Sequence, residues 1–157
     1  MPSKKSNQKR IKLQSGDIFS IKLDNEIYAF GRALKKIDIG FVVEIFDFFS
    51  ASKSDFENAI NTPRLFHPQI IDSHSIFWLR KEGDWSVEKK GGDGFTVVGA
   101  KDIKFSFGAN GNKKLIDIFG VEEPVGDEEA KKYFGYGPKG DIDIKRLIKV
   151  WREKIKE

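Results

Sequence analysis

The chain has 157 residues, with 28 basic and 24 acidic side chains, a formal net charge of +4 and a sequence pI of about 9.1. It has no cysteine, which excludes a disulfide framework, thiol catalysis and cysteine-ligated zinc, and its two histidines are too few for a histidine-rich metal site. The length predicts one domain, and the aromatic content of 13% is too high for a disordered chain.

The positive charge is concentrated at the two ends of the chain. Residues 1–12 hold five bases and no acid, and residues 145–157 hold six bases and two acids. The remaining residues, 13–144, hold 17 bases and 22 acids and therefore carry a net charge of −5. We therefore expect a flexible basic arm at 1–12, either simply solvated or touching phosphate, and a single β-rich globular domain over 13–157 with C-terminal helices.

The first half of the chain has the pattern of an antiparallel sheet. Alternating apolar and polar residues at 17–23 and 27–35, separated by the polar break Asp24–Glu26, predict a β-hairpin. Gly31 inside the second strand predicts a bulge or a close approach by another segment. The run 41–49 is apolar on both sides apart from two acids, so it predicts a strand covered on both faces.

Further elements follow in chain order. Ser54 and Glu57 have the spacing of a capping box, which predicts a short helix over about 55–60. Asn110 and Gly111 mark a turn. The remaining strand candidates are a hairpin of 76–81 with 85–89, and single strands at 95–100, 103–107 and 114–120.

The period then changes to that of helices. Asp127 can cap a short helix over 128–134, and Asp141 or Asp143 opens a final helix. Three-four spacing places the apolar residues of that final helix on one face: Ile144, Leu147, Ile148, Trp151 and Ile155. The predicted fold class is α+β, a predominantly antiparallel β-sheet or partly open barrel with a short mid-chain helix and C-terminal helices.

The sequence offers no convincing catalytic residue, metal site or cofactor site. The segment 135–140 spells G-x-G-x-x-G, but it follows a predicted helix, whereas a dinucleotide site needs it after a strand. His67 and His74 lack a nucleophile and an orienting partner at suitable spacing. No run of about 20 apolar residues and no signal peptide is present, so we expect a cytoplasmic protein without a membrane segment.

Two groups of side chains are candidates for partner binding. One is acidic and can be a solvated surface, an acid–base or cation site, or a surface that meets a basic partner. The other is the strand face shared by Tyr28, Phe30 and Arg32, which would suit base stacking, although no known RNA-binding motif accompanies it. The acidic group consists of Glu122, Glu123, Asp127, Glu128 and Glu129.

The order of these pieces resembles a known family. A G-D-hydrophobic strand at 16–23 is followed by Tyr-Ala-Phe-Gly-Arg at 28–32, and a third strand ends at 45–48. Trp85 and the hydrophobic pair before Gly99 look like the family's later segment. In this order, over about residues 16–148, the chain resembles bacterial immunity protein family twenty-six, which belongs to polymorphic and contact-dependent toxin systems.

The resemblance implies a β-rich protein, not an enzyme, that binds a cognate toxin domain and neutralises it by occlusion. We expect the acidic group to contact the toxin, and Trp85 and Phe30 to be core or scaffold. The acidic body would suit a basic, nuclease-type toxin, because such a toxin must hold phosphate. The alternative hypothesis is an RNA- or DNA-binding β module that uses the Tyr28 face and the basic ends.

Overall fold

The computed structural model describes residues 12–78 and 84–156, so the predicted basic arm, apart from Lys12, lies outside the described residues. The larger of its two sheets is antiparallel throughout, with the strand order β4-β3-β2-β1-β5. Over the described ranges β4 and β5 are its two edges, so the sheet is open. The strands are β1 (Ile18–Lys22), β2 (Tyr28–Ile37), β3 (Gly40–Ser50), β4 (Gln69–Ile71) and β5 (Trp85–Lys89).

The second sheet has three antiparallel strands in the order β6-β7-β8, and three α-helices complete the described fold. These elements confirm the predicted fold class, a mainly antiparallel β-protein with a short mid-chain helix and C-terminal helices. Their bounds are β6 (Lys104–Phe107), β7 (Lys114–Asp117), β8 (Glu122–Pro124), α1 (Phe56–Ala59), α2 (Asp127–Ala130) and α3 (Asp141–Lys156).

Both faces of the large sheet are covered, as the apolar run of β3 predicts. Neighbouring strand residues point to opposite faces, and Val43 packs in the cluster that contains Ile144 and Ile148 of α3. Val42 packs instead with Phe105 of β6 in the cluster under the small sheet. The helix and the small sheet therefore lie on opposite faces of the large sheet, and residues 41–46 of β3 are all buried.

Gly31 is required by the packing of β2. The register with β3 shifts between Ala29 and Gly31, which is the predicted bulge. A Cβ at Gly31 would lie 2.5 Å from the carbonyl oxygen of Glu44 and 2.6 Å from Cζ of Phe19. Both predictions for this glycine, a bulge and a close approach, are confirmed.

The predicted hairpin of 76–81 with 85–89 is wrong over the described part of its first strand, residues 76–78, and residues 79–81 lie outside the described residues. Residues His74–Trp78 form a π-helical turn, and β5 pairs with β1. The reason is tertiary, because Phe77 is buried edge-on against both Phe19 and Trp85. An apolar run that fills the core from a turn has the same composition as a strand.

The strand predicted at 95–100 is also wrong. Residues 95–99 pair with no strand in the described chain, and Ala100–Asp102 form a 3₁₀ turn. Gly92, Gly94 and Gly99 all have positive φ, so the backbone reverses repeatedly here. The strand predicted at 114–120 is shorter than expected and ends at Asp117.

The helix starts differ from the predictions. Ser52 accepts a hydrogen bond from the Ser54 amide, and the described α1 begins after Asp55 with no side-chain cap, so the capping box at Ser54 and Glu57 is absent. The second helix is only four residues long and its N-cap is Gly126, so Asp127 does not cap it. The final helix begins at Asp141, the first of the two predicted starts, with Ile144 and Ile148 fully buried.

Candidate protein-binding surface

The structure places the five predicted contact residues in one short stretch that contains the last strand of the small sheet and the start of α2. Glu122 and Glu123 lie in β8, which is an edge strand, and Asp127, Glu128 and Glu129 form the first turn of α2. Asp127 is half-buried and the other four are exposed. We call residues 122–129 the acidic segment. It lies with the small sheet on the face of the large sheet opposite α3.

Each glutamate of the acidic segment is paired with a lysine close by. Five carboxylates face four ammonium groups, which leaves a local net charge of −1. The hydrogen bond from Lys104 to Glu123 raises the pKa of that lysine. Exposed pairs of this kind contribute little to stability, so a partner's cation can replace a lysine at small cost. The pairs are Glu122 with Lys114 (3.6 Å), Glu123 with Lys104 (2.9 Å), Glu128 with Lys131 (2.9 Å) and Glu129 with Lys132 (3.0 Å).

Asp127 has a different environment from its neighbours. Its two carboxylate oxygens accept from the amide of Gly111 at 2.9 and 3.0 Å. Gly111 lies in the turn predicted at Asn110–Gly111, and its φ of 87° is in the left-handed region. The Asp127 carboxylate therefore holds the β6–β7 turn against the start of α2, which is a structural contact.

Sequence reasoning missed two exposed apolar residues beside the acidic segment. Phe119 and Val121 are 56% and 63% exposed and lie in the turn that joins β7 to β8. The prediction of a single strand over 114–120 placed Phe119 inside that strand, so the turn was not predicted. The available signal was the order Asp117, Phe119, Gly120, in which an aspartate precedes a glycine by three residues, a pattern that suits a tight turn.

The predicted stacking face on β2 is not available to bases. Phe30 is fully buried, in the core position expected for it, and packs with Phe46 and Ala59. Nε of Arg32 donates to Glu44 at 2.8 Å, and Nε of Arg64 donates to the other oxygen of the same carboxylate at 2.7 Å. The prediction that Tyr28, Phe30 and Arg32 form a face for base stacking is therefore wrong, because Phe30 packs in the core beside Ala59 of α1.

The two other motifs also have structural roles in the described chain. The glycines of 135–140 lie in a loop between α2 and α3, which runs alongside both sheets: Tyr136 donates to Ser106 of β6, and Lys139 donates to Ile70 of β4. Nε2 of His67 donates to the carbonyl of Lys104 at 3.2 Å, and burial lowers the pKa of this histidine. Within 12–78 and 84–156, no three histidine or carboxylate side chains gather as a metal site would need.

Residues 14–86 match the family model of Immunity protein 26. The resemblance seen in the sequence is confirmed over this segment, which starts just before β1 and ends at the second residue of β5. The Immunity protein 26 match thus contains β1 to β4 and Trp85, whereas the small sheet, the acidic segment and α3 lie beyond it. No curated protein and no solved structure matches the chain. No helix in the described part of the chain is long and apolar enough to cross a membrane.

Proposed function

We propose that this chain is an immunity protein, which binds a cognate toxin domain and neutralises it by direct occlusion. The observation that carries this proposal is the Immunity protein 26 match over 14–86. The matched segment builds most of the large sheet, including the buried strand β3 and the close contact at Gly31. Neutralisation by occlusion requires a stable surface and no chemistry, so the proposed activity is not enzymatic.

The proposed contact surface is the acidic segment. Glu122, Glu123, Glu128 and Glu129 are exposed, and their lysine partners lie at the surface with them. Arginines of a basic toxin can displace these lysines and make shorter, bidentate contacts. Asp127 acts within the proposed surface as the group that orders it, through Gly111.

The proposed partner is a basic toxin domain of the nuclease type. A protein that holds phosphate carries lysine and arginine around its active site, and an acidic inhibitor surface steers association with such a site. The basic helix α3, with six basic and three acidic residues, lies on the opposite face of the large sheet. The complex proposed here therefore forms on the small-sheet side.

We further propose that residues 13–157 act as one folded unit. The support is that α3 and the small sheet each bury part of the large sheet, through Val43 and Val42 respectively. Trimming residues 1–12 is then expected to leave toxin binding unchanged.

Co-expression tests the function. The toxin domain encoded beside this protein is induced in bacterial cells with and without it, and survival is counted. We expect survival only with the immunity protein, and a 1:1 complex on copurification. Equal killing in both cultures, with both proteins folded and present, would refute the proposal.

A further inference from the structure

We infer that the turn Phe119–Gly120–Val121 is the apolar anchor of the toxin interface, and that it inserts into an apolar pocket ringed by basic side chains. This inference rests on the proposed function and names the part of the surface that supplies most of the affinity. We call these three residues the β7–β8 turn. The partner it fits is a basic protein.

The β7–β8 turn is held in one conformation by its own hydrogen bonds. Oδ1 of Asp117 accepts from the amides of Phe119 and Val121, both at 2.9 Å. The Asp117 amide donates to the carbonyl of Val121 at 3.0 Å, and the Gly120 amide donates to the Asp117 carbonyl at 3.1 Å. Gly120 has a φ of 87°, which a residue with a side chain rarely adopts. A turn ordered before binding loses little conformational entropy when it enters a pocket.

Of the apolar side chains in and next to this turn, some are buried in the core and others are exposed to solvent. Ile116 and Ile118 are buried in the cluster under the small sheet and Leu115 is also buried, whereas Phe119 and Val121 are exposed. Lys35 of β2 lies with its Nζ 5.6 Å from the centre of the Phe119 ring. Phe119 is 56% exposed, so a partner pocket can remove a further part of a large aromatic surface from water.

The charged side chains next to the β7–β8 turn indicate which class of partner it binds. Glu122 and Glu123 follow Val121 directly and are about half exposed. An exposed aromatic group bordered by charged side chains has the arrangement of an interface hot spot with its polar rim. Glu122 and Glu123 pair with Lys114 and Lys104, and such exposed pairs are weak, so lysines or arginines around an apolar pocket of a partner protein can replace these lysines.

The backbone of β8 indicates that side chains, and not strand addition, make this contact. Val121 and Val125 direct their backbone groups toward β7, so those of Glu122 and Pro124 face outward. Pro124 has no amide hydrogen, which blunts the edge for pairing with another strand. The partner therefore meets the side chains of the turn.

Alanine substitution at the turn tests the inference, with purified toxin domain as the probe. Phe119→Ala is expected to weaken the complex by about tenfold to a hundredfold, the range of an aromatic hot spot. Phe119→Leu, which keeps an apolar group, is expected to recover most of that loss. The matched control is Val98→Ala, because Val98 is 86% exposed in a different loop. It is expected to change the affinity by less than about twofold. Thermal unfolding of all variants checks that they fold.

The outcomes separate the two proposals. If the wild-type protein neutralises the toxin and the Phe119→Ala and Val121→Ala double variant binds as tightly, the anchor is elsewhere and only this inference fails. If the wild-type protein does not bind the toxin domain at all, both proposals fail. If the double variant is folded and binds weakly while Val98→Ala binds normally, the anchor is established.

Discussion

The indole nitrogen of Trp85 donates a 2.7 Å hydrogen bond to Oδ1 of Asp141, the residue at which α3 begins. This bond joins the end of the family-matched segment to the helix outside it. Lys145, one turn into the helix, lies 3.0 Å from the same carboxylate and also bonds to Asp84, which precedes β5. The joint between β5 and α3 is therefore a small network with Asp141 near its centre.

Replacing Trp85 by phenylalanine tests this joint. The new ring can keep the contacts with Phe19 and Phe77 but has no N–H for Asp141. We expect the free energy of unfolding to fall by about 1.5–3 kcal/mol, the range for a hydrogen bond to a charged group. Urea denaturation followed by circular dichroism measures it. Trp151→Phe is the control, since Trp151 is half-buried against Phe66 and a phenyl ring can keep that contact. An equal loss in both variants would show that the hydrogen bond is not the cause.

The carboxylate of Glu44 holds two arginines on the small-sheet face of β3. It is buried, whereas the side chains of Arg32 and Arg64 are about one-third exposed, at 29% and 34%. Glu44→Gln removes the negative charge that both arginines bind and leaves two like charges close together. We expect a loss of about 2–4 kcal/mol in the free energy of unfolding, since water screens the exposed arginines and limits the cost of breaking a buried pair. The exposed Glu57→Gln is the matched control and should stay within about 0.5 kcal/mol of the wild type. A Glu44→Gln variant as stable as this control would contradict the role given to the carboxylate.

Gly31→Ala places a methyl group 2.5 Å from the Glu44 carbonyl oxygen, a backbone atom that cannot move aside alone. We expect β2 and β3 to separate locally and the free energy of unfolding to fall by about 2–4 kcal/mol. Gly135→Ala is the control, because a Cβ there meets nothing within 4 Å. Its effect on the denaturation midpoint should be small, and a large effect in the control alone would overturn the packing argument for Gly31.

His67 makes the stability of the protein depend on pH. Burial lowers its pKa in the folded protein below the ordinary value of 6.5, despite the opposing hydrogen bond to Lys104. The unfolded chain therefore binds a proton at a higher pH than the folded protein does. The stability that neutral His67 supplies is fully present above pH 6.5, and it is lost as the pH falls from there through the folded pKa. We expect a His67→Gln variant to lose less stability than the wild type between about pH 7.5 and pH 5. Denaturation midpoints at the two pH values measure this, and parallel losses would contradict it.

The acidic segment is expected to act on the rate of association. Glu122→Lys with Glu123→Lys reverses two charges beside the β7–β8 turn and should slow binding of a basic toxin domain by about tenfold or more at low salt. Added salt should reduce the difference. Glu57→Lys with Glu153→Lys, at exposed positions in α1 and α3, changes the net charge by the same amount and is the control. Stopped-flow mixing measures the rates, and equal slowing by the control would remove the acidic segment from the interface.

The parts of the fold that the sequence predicts are those with local causes. Alternating apolar and polar residues predict β1 and β2, and the run that is apolar on both sides predicts β3. Gly31 predicts a bulge or a close contact because a glycine inside a strand usually marks one of these. The failures have distant causes. Phe77 is turned into the core by Phe19 and Trp85, which come from other strands.

The sequence predicts the acidic side chains of the candidate site but not the lysines that pair with them. The five acids are visible in the sequence, but the lysines that face Glu122 and Glu123 arrive through strand pairing, Lys114 from β7 and Lys104 from β6. The exposure of Phe119 depends on where β7 ends, and composition does not distinguish it from the buried Phe105. The turn formed around Asp117 determines that Phe119 is exposed.

The most direct measurement is calorimetric titration of this protein into the purified toxin domain proposed as its partner. The predicted result is a saturable 1:1 complex whose formation abolishes the toxin's activity in the same sample. Absence of heat and of complex at micromolar concentrations, with the toxin domain folded and active, would contradict neutralisation by direct contact.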